Sequence, residues 1–181
     1  MKTTISLLRG INVSGQKKIK MADLRAMYEA LGLANVASYV QSGNVVFDCV
    51  ETDRAALAAT IEAAIETTFG FAVTVFIRDA DDLRRIIDGN PFLARAGVDP
   101  KRLYVTFLYR SPAEDRLSVI APPSGSQDEF AIVADEVYLH CPGGYGTSKL
   151  SNTFFEKKLA VPATTRNWNS VNALYSMATH E

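Results

Sequence analysis

Histidine, cysteine and tryptophan are scarce in this chain of 181 residues, which has two, two and one of them. His180 is penultimate and His140 is the only other imidazole. No histidine cluster is therefore available to bind zinc or relay protons, and no metal site is expected. His140 and Cys141 are neighbours on a predicted strand, so their side chains point to opposite faces and cannot form a nucleophile–base dyad with each other. Cys49 and Cys141 allow at most one bridge and no disulfide framework of the kind that staples small secreted domains, which favours a reducing setting. Long apolar runs are absent too. The segment from Met1 to Arg9 has no extended apolar core or cleavage motif, and no stretch approaches the length needed to cross a bilayer. These absences lead to the expectation of a cytoplasmic protein without a membrane partner.

Excess charge is also missing. The formal net charge is −1, which excludes a bulk polycation wrapped around nucleic acid but leaves room for a local basic patch. The distribution is uneven. Up to Arg25 the chain carries Lys2, Arg9, Lys17, Lys18, Lys20 and Arg25 against Asp23, whereas Asp128 to Glu136 holds acids and no base. Hydrophobic residues make up 48% and charged residues 22%, the balance of a globular chain that folds unaided.

The pattern of elements is α+β. Thr3–Leu8 reads as a buried strand that ends at the Gly/Asn/Ser-rich loop Arg9–Lys18. Met21, Leu24, Met27 or Tyr28, and Leu31 recur at helical spacing before Gly32, and the strands Val36–Val40 and Asn44–Cys49 flank a tight turn at Gln41-Ser42-Gly43. Thr52 or Asp53 opens a helix stopped by Gly70, Ala72–Arg78 is a strand, and Asp79 caps a helix that ends before Gly89-Asn90-Pro91. The second half repeats this order. Leu103–Tyr109 is a strand, Ser111-Pro112 starts a helix reaching about Ile120, and Glu129–Ala134 with Glu136–Cys141 forms a hairpin. Ser151 caps Asn152–Leu159, Ala163–Arg166 is a short strand, and Asn169–Thr179 is the final helix. The expected fold is two tandem ferredoxin-like βαββαβ halves with antiparallel sheets, each half followed by a helix, at residues 1–90 and 91–181 in one compact unit.

This topology gathers polar residues at two edges. In the first half Arg9, Asn12, Ser14, Lys17, Lys18, Gln41, Ser42 and Asn44 would surround the N-terminus of the first helix, whose free N–H groups and dipole attract phosphate or carboxylate. The competing reading is that Gly10, Gly15 and Gly43 supply backbone angles, Asn and Ser close turns, and the lysines are merely solvated. Gly10 to Lys17 brushes against the phosphate-binding loop pattern, but Gln16 holds its lysine position and no Ser or Thr follows Lys17. In the second half Tyr145, Ser148, Lys149, Arg166, Asn167 and Trp168 would share an edge with the glycines 143, 144 and 146, a makeup suited to a nucleotide or a nucleic-acid strand. Against that, Trp168, Val171, Leu174 and Ala178 recur at helical spacing, as core anchors do. Glu156 reads only as a balance for Lys157 and Lys158. The carboxylates of Asp79-Ala80-Asp81-Asp82 read as helix capping, and no cofactor is expected.

Several stretches together carry a family resemblance: Leu7 to Val13, Lys20 to Arg25, Gln41 to Phe47, Ser148 to Asn152, Phe155 to Leu159 and Ala163 to Asn169. The chain resembles the bacterial domain-of-unknown-function family 1697 along nearly its whole length. The resemblance implies a bacterial cytosolic protein with a duplicated α+β fold and implies no activity or catalytic residue. The functional expectation is a module that binds a phosphorylated small molecule or nucleotide at its two polar edges. A nucleic-acid binder, a homodimer joined through sheet edges or terminal helices, and an enzyme acting on a phosphorylated metabolite are the competing classes.

Overall fold

The computed structural model describes residues 1–180. The chain divides into two compact units, Met1–Arg85 together with the residues from Asn172 onward, and Ile86–Val171. The first unit contains β1 (Lys2–Leu8), α1 (Met21–Ala30), β2 (Ala34–Tyr39), β3 (Asn44–Cys49), α2 (Arg54–Phe69) and β4 (Val75–Asp79), which runs directly into α3 (Ala80–Asp88). The second contains β5 (Leu103–Leu108), α4 (Glu114–Leu117), β6 (Glu129–Val133), β7 (Glu136–His140), α5 (Asn152–Leu159) and β8 (Ala163–Asn167); α6 (Trp168–Thr179) follows β8, and its residues from Asn172 onward belong to the first unit. Each sheet has four strands, in the orders β2-β3-β1-β4 and β6-β7-β5-β8, and every neighbouring pair is antiparallel. These are tandem ferredoxin-like units, as the element pattern implies.

Local chemistry sets the helix ends. Asp53 accepts from the amides of Ala55 and Ala56 to start α2, and Gly70 ends it in the left-handed conformation at φ 82°. Ser151 accepts from Phe154 N to start α5. In the first unit Leu8, Leu24, Tyr28, Phe47, Ile61, Ile65 and Val75 form the core between helices and sheet. The Tyr28 hydroxyl, fully buried there, is satisfied by Ser6 at 2.8 Å, and burial pushes its pKa up. In the second unit Leu108, Val137, Leu139, Phe155, Leu159 and Ala163 fill the same place. Each of the larger of these side chains contributes about 1.5–3 kcal/mol by leaving water.

The helix expected from Ser111 to Ile120 is a single turn, Glu114–Leu117. Ser111 does not cap it, because its hydroxyl donates to the Asp135 carboxylate instead. Leu117 and Val119 are exposed, so no apolar stripe holds a longer helix against the sheet.

The duplication extends to individual hydrogen bonds. Leu8 N donates to Gly43 O at 2.8 Å and Leu108 N to Asp135 O at 2.8 Å. Val75 N, at the start of β4, donates to Glu62 Oε1 at 2.8 Å, and Ala163 N, at the start of β8, donates to Glu156 Oε1 at 3.0 Å. Glu156 thus satisfies a backbone amide rather than only balancing its lysine neighbours. Asp79 Oδ1 accepts from Asp82 N and Asn167 Oδ1 from Ser170 N, starting the helix after the last strand of each unit.

Asp79 also joins an ion cluster. Its Oδ2 accepts from Lys2 Nζ at 2.5 Å and Arg54 Nη2 at 2.7 Å, while Arg54 Nη2 lies 2.8 Å from Asp82 Oδ2. Desolvation pushes the Asp79 pKa up, but the Lys2 hydrogen bond, the Asp82 amide and the two cations outweigh it and hold the value at about 2. A carboxylate whose folded pKa lies below its unfolded value stabilises the fold above the unfolded pKa and loses that contribution as pH falls through the folded one. The Asp79→Asn variant is expected to lose about 1–2 kcal/mol at pH 7, the exposure of Lys2 and Arg54 reducing the full linkage value. In urea unfolding the gap from the parent should close as pH drops from about 4 towards 2; a gap independent of pH would contradict this role.

Gly43 generates a second expectation. Its φ is +80°, and a Cβ there would lie 2.7 Å from Leu8 Cβ and 2.9 Å from Ile11 Cδ1. Gly43→Ala should cost about 2–4 kcal/mol through left-handed strain plus overpacking, seen as a lowered thermal midpoint.

Candidate functional site

β1 delivers the chain into a loop, Arg9–Lys20, held by residues in the left-handed region: Gly10, Asn12, Ser14, Gly15 and Lys17 have φ from 45° to 73°. Ile11 and Ile19 anchor it in the core, at 1% and 3% exposure. Asn12 is its brace. Its Oδ1 accepts from Ile19 N at 2.9 Å, while its Nδ2 donates to Ile19 O at 3.0 Å and to Gln41 O at 2.9 Å, tying the loop to the β2–β3 turn. Lys17 Nζ donates to Ala72 O at 2.7 Å. Asn44, fully buried, closes the turn by donating to Tyr39 O and Ser42 Oγ. Val40 in the same turn has φ 51° and is 51% exposed, a costly conformation for a β-branched residue.

These braces leave an open groove of about 640 Å³ at the start of α1, lined by Asn12, Gly15, Lys18, Ile19, Lys20, Asp23, Gln41 and Phe69. Lys20 is the N-cap residue of α1 and its side chain makes no capping hydrogen bond. A helix start without a side-chain cap keeps amide donors and the positive dipole end for other partners. Lys18, Lys20 and Asp23 are all exposed. Arg9 and Lys17 fall elsewhere, in a groove of about 510 Å³ that also contains Glu62 and Glu66, where the charges balance. The residues predicted for this edge therefore separate: Lys18, Gln41 and Asn12 line the groove, Arg9 and Lys17 face another, Ser42 and Asn44 build the turn, and Ser14 is exposed on the loop.

In the second unit the ends of β7 and β8 and the start of α5 share one edge, as β5 pairs Leu103 with His140 and Tyr104 with Asn167. The polar residues there serve the fold. Arg166 is 6% exposed and donates to Thr164 Oγ1 at 2.8 Å and Thr165 O at 2.9 Å; burial lowers its pKa to about 10. Trp168 is 6% exposed and belongs to the interior, as its helical spacing indicates. Asn167 caps α6. Ser148 Oγ donates to Asp128 Oδ2 at 2.7 Å and accepts from Leu150 N. Tyr145 is half-buried beside Tyr104, ring centroids 5.2 Å apart, and burial raises its pKa against hydrogen bonds to Thr165 and the Asn152 backbone. Lys149 is exposed. Cys141 is fully buried, and desolvation pushes its thiol up to about 11, so it is a poor nucleophile at neutral pH.

Sequence reasoning missed Lys20, Asp23 and Phe69 as partners in one groove. Lys20 and Asp23 stand beside the predicted helix start and could have been included. Phe69 lies at the far end of α2, and only the fold brings that end to the start of α1. Among the described residues no group of three or more His, Cys, Asp or Glu side chains is placed to hold a metal ion, and no helix is long and apolar enough to cross a membrane.

Comparison with known proteins agrees with this architecture. The conserved bacterial protein SP0830 from Streptococcus pneumoniae superposes with a TM-score of 0.71 over 97% of this chain and 98% of its own, at 20% identity, a likeness of fold. No curated protein matches the sequence. The family model described as "Protein of unknown function (DUF1697)" matches residues 1–138, and the chain belongs to that family.

Proposed function

We propose that the first unit binds a phosphorylated small molecule that also carries hydroxyl groups, such as a sugar phosphate or a nucleotide, in the groove at the start of α1. The observation that carries this reading is the convergence of Lys18, Lys20 and a helix start without a side-chain cap with Asp23, Gln41 and Phe69 around one groove. Lysine ammonium groups and helix amides both favour phosphate oxygens. Asp23 opposes a bare anion but accepts hydrogen bonds from hydroxyls, and Phe69 offers an apolar wall to a sugar or base. Val40, beside Gln41 in the turn, and the loop residues Asn12 and Gly15 are held at positive φ by the surrounding fold, and locally costly conformations of this kind cluster at binding sites. The second unit lacks the long loop after its first strand: Tyr109–Ala113 connects β5 to a single-turn helix.

Thermal unfolding with ribose 5-phosphate, nucleoside monophosphates, inorganic phosphate and the unphosphorylated counterparts tests the proposal. A true ligand at about a hundred times its Kd should add about 2.7 kcal/mol, a rise of about 5–10 °C at this chain length. The double variant Lys18→Ala, Lys20→Ala should weaken binding at least about tenfold. Asp23→Asn should weaken the hydroxyl-bearing ligands and strengthen inorganic phosphate. A panel without any shift, or a shift undiminished in the lysine double variant, would exclude the proposal.

A further inference from the structure

Each four-stranded sheet has two outer strands, and three of the four are closed against further pairing. On β4, Val75 N is held by Glu62, Ile77 O accepts from Arg78 Nη1 at 2.9 Å, and Asp79 N donates to Asp82 Oδ2 at 3.1 Å. On β8, Ala163 N is held by Glu156 and Thr165 O accepts from Arg166 Nη1 at 2.9 Å. Side chains thus occupy the very groups that another strand would use. β2 is closed differently: its pairing with β3 shifts register between Ala34 and Ala37, and Asn35 is left-handed at φ 51°. A bulge of this kind twists an edge away from regular pairing.

Among the described residues β6 shows none of these devices; its first residue, Glu129, is ion-paired through its side chain with Arg95 at 2.5 Å. Glu129-Phe130-Ala131-Ile132-Val133 pairs with β7 in unbroken register and ends the sheet, with no proline or lysine in it. It is firmly seated, since Phe130 meets the Phe155 ring edge-on at 5.4 Å and Ile132 joins the same core. Val133 is 49% exposed at its end. A rigid, regular, mostly apolar edge is a template for another strand.

The residues of β6 identify the partner as a second copy of this chain. In an antiparallel pairing about a twofold axis at Ala131, Ala131 faces itself, Phe130 faces Ile132, and Glu129 faces Val133 of the second copy. Facing residues share a side of the sheet, so both core residues of each strand stay on the helix side. The charged Glu129 meets no like charge across the seam, and the contact is self-complementary, as a closed twofold dimer requires. We propose that two molecules join through β6 into one continuous sheet of order β8-β5-β7-β6-β6-β7-β5-β8. Two five-residue strands make a small interface, so a dissociation constant in the micromolar range is expected.

Sedimentation equilibrium at up to roughly 0.1 mM tests this with charge variants at the exposed position 133. In an Arg95→Ala background, which frees Glu129 from the ion pair with its own chain, Val133→Lys places an ammonium opposite Glu129 of the second copy twice by symmetry and should tighten the dimer. Val133→Glu places like charges there and should loosen it, each by about 2- to 30-fold in Kd. Circular dichroism and thermal unfolding should show both variants folded as the parent. A parent that stays monomeric at that concentration overturns the proposal, and so does a dimer whose affinity does not respond in opposite directions to the two charges.

Discussion

An antiparallel sheet of four strands leaves two rows of backbone donors and acceptors at its margins, and every such group needs a partner or water. Much of what is specific in this protein answers that requirement. Glu62 and Glu156 reach from α2 and α5 to the first amide of the outer strand, and Arg78 and Arg166 turn back onto a carbonyl of their own strand. These arginines are each 6% exposed. Their burial reflects service to the backbone, which is why Arg166 is poorly placed to meet a ligand from solvent.

The same accounting separates the two polar edges. At the second, Ser148, Asn167 and Arg166 have their hydrogen-bonding capacity committed to Asp128, to the start of α6 and to β8. At the first, Asn12 and Asn44 are committed likewise, but to bracing a loop and a turn beside the start of α1. What the braces leave open between them is lined by Lys18, Lys20, Asp23 and Phe69. Two units built on one plan therefore diverge where the first strand ends: a long braced loop in one, a short connection and a residual helix in the other.

The order of elements was legible because each has a local cause. Period-two and helical spacing of apolar residues mark the strands and helices, Asp53 and Ser151 mark helix starts, and Gly70 marks a stop. The exception is instructive. Ser111-Pro112 has the form of a helix start, but the segment after it exposes Leu117 and Val119, and a start signal without a buried stripe yields one turn. The candidate site was only half legible. Asn12, Lys18 and Gln41 were found from their edge, whereas Phe69 was not, since the end of α2 meets the start of α1 only through the sheet order.

The sequence alone determined the α+β class and the repeated βαββαβ order, because periodicity, caps and chain topology are properties of neighbouring residues and of their order. The tertiary structure decided what each polar residue does. Glu156, Arg166, Asn12 and Ser148 read alike as surface or ligand-binding groups until their partners, brought from distant segments, show that a strand margin or loop already claims them. Hydrogen-bond satisfaction is a property of the folded neighbourhood, and a linear chain does not contain it.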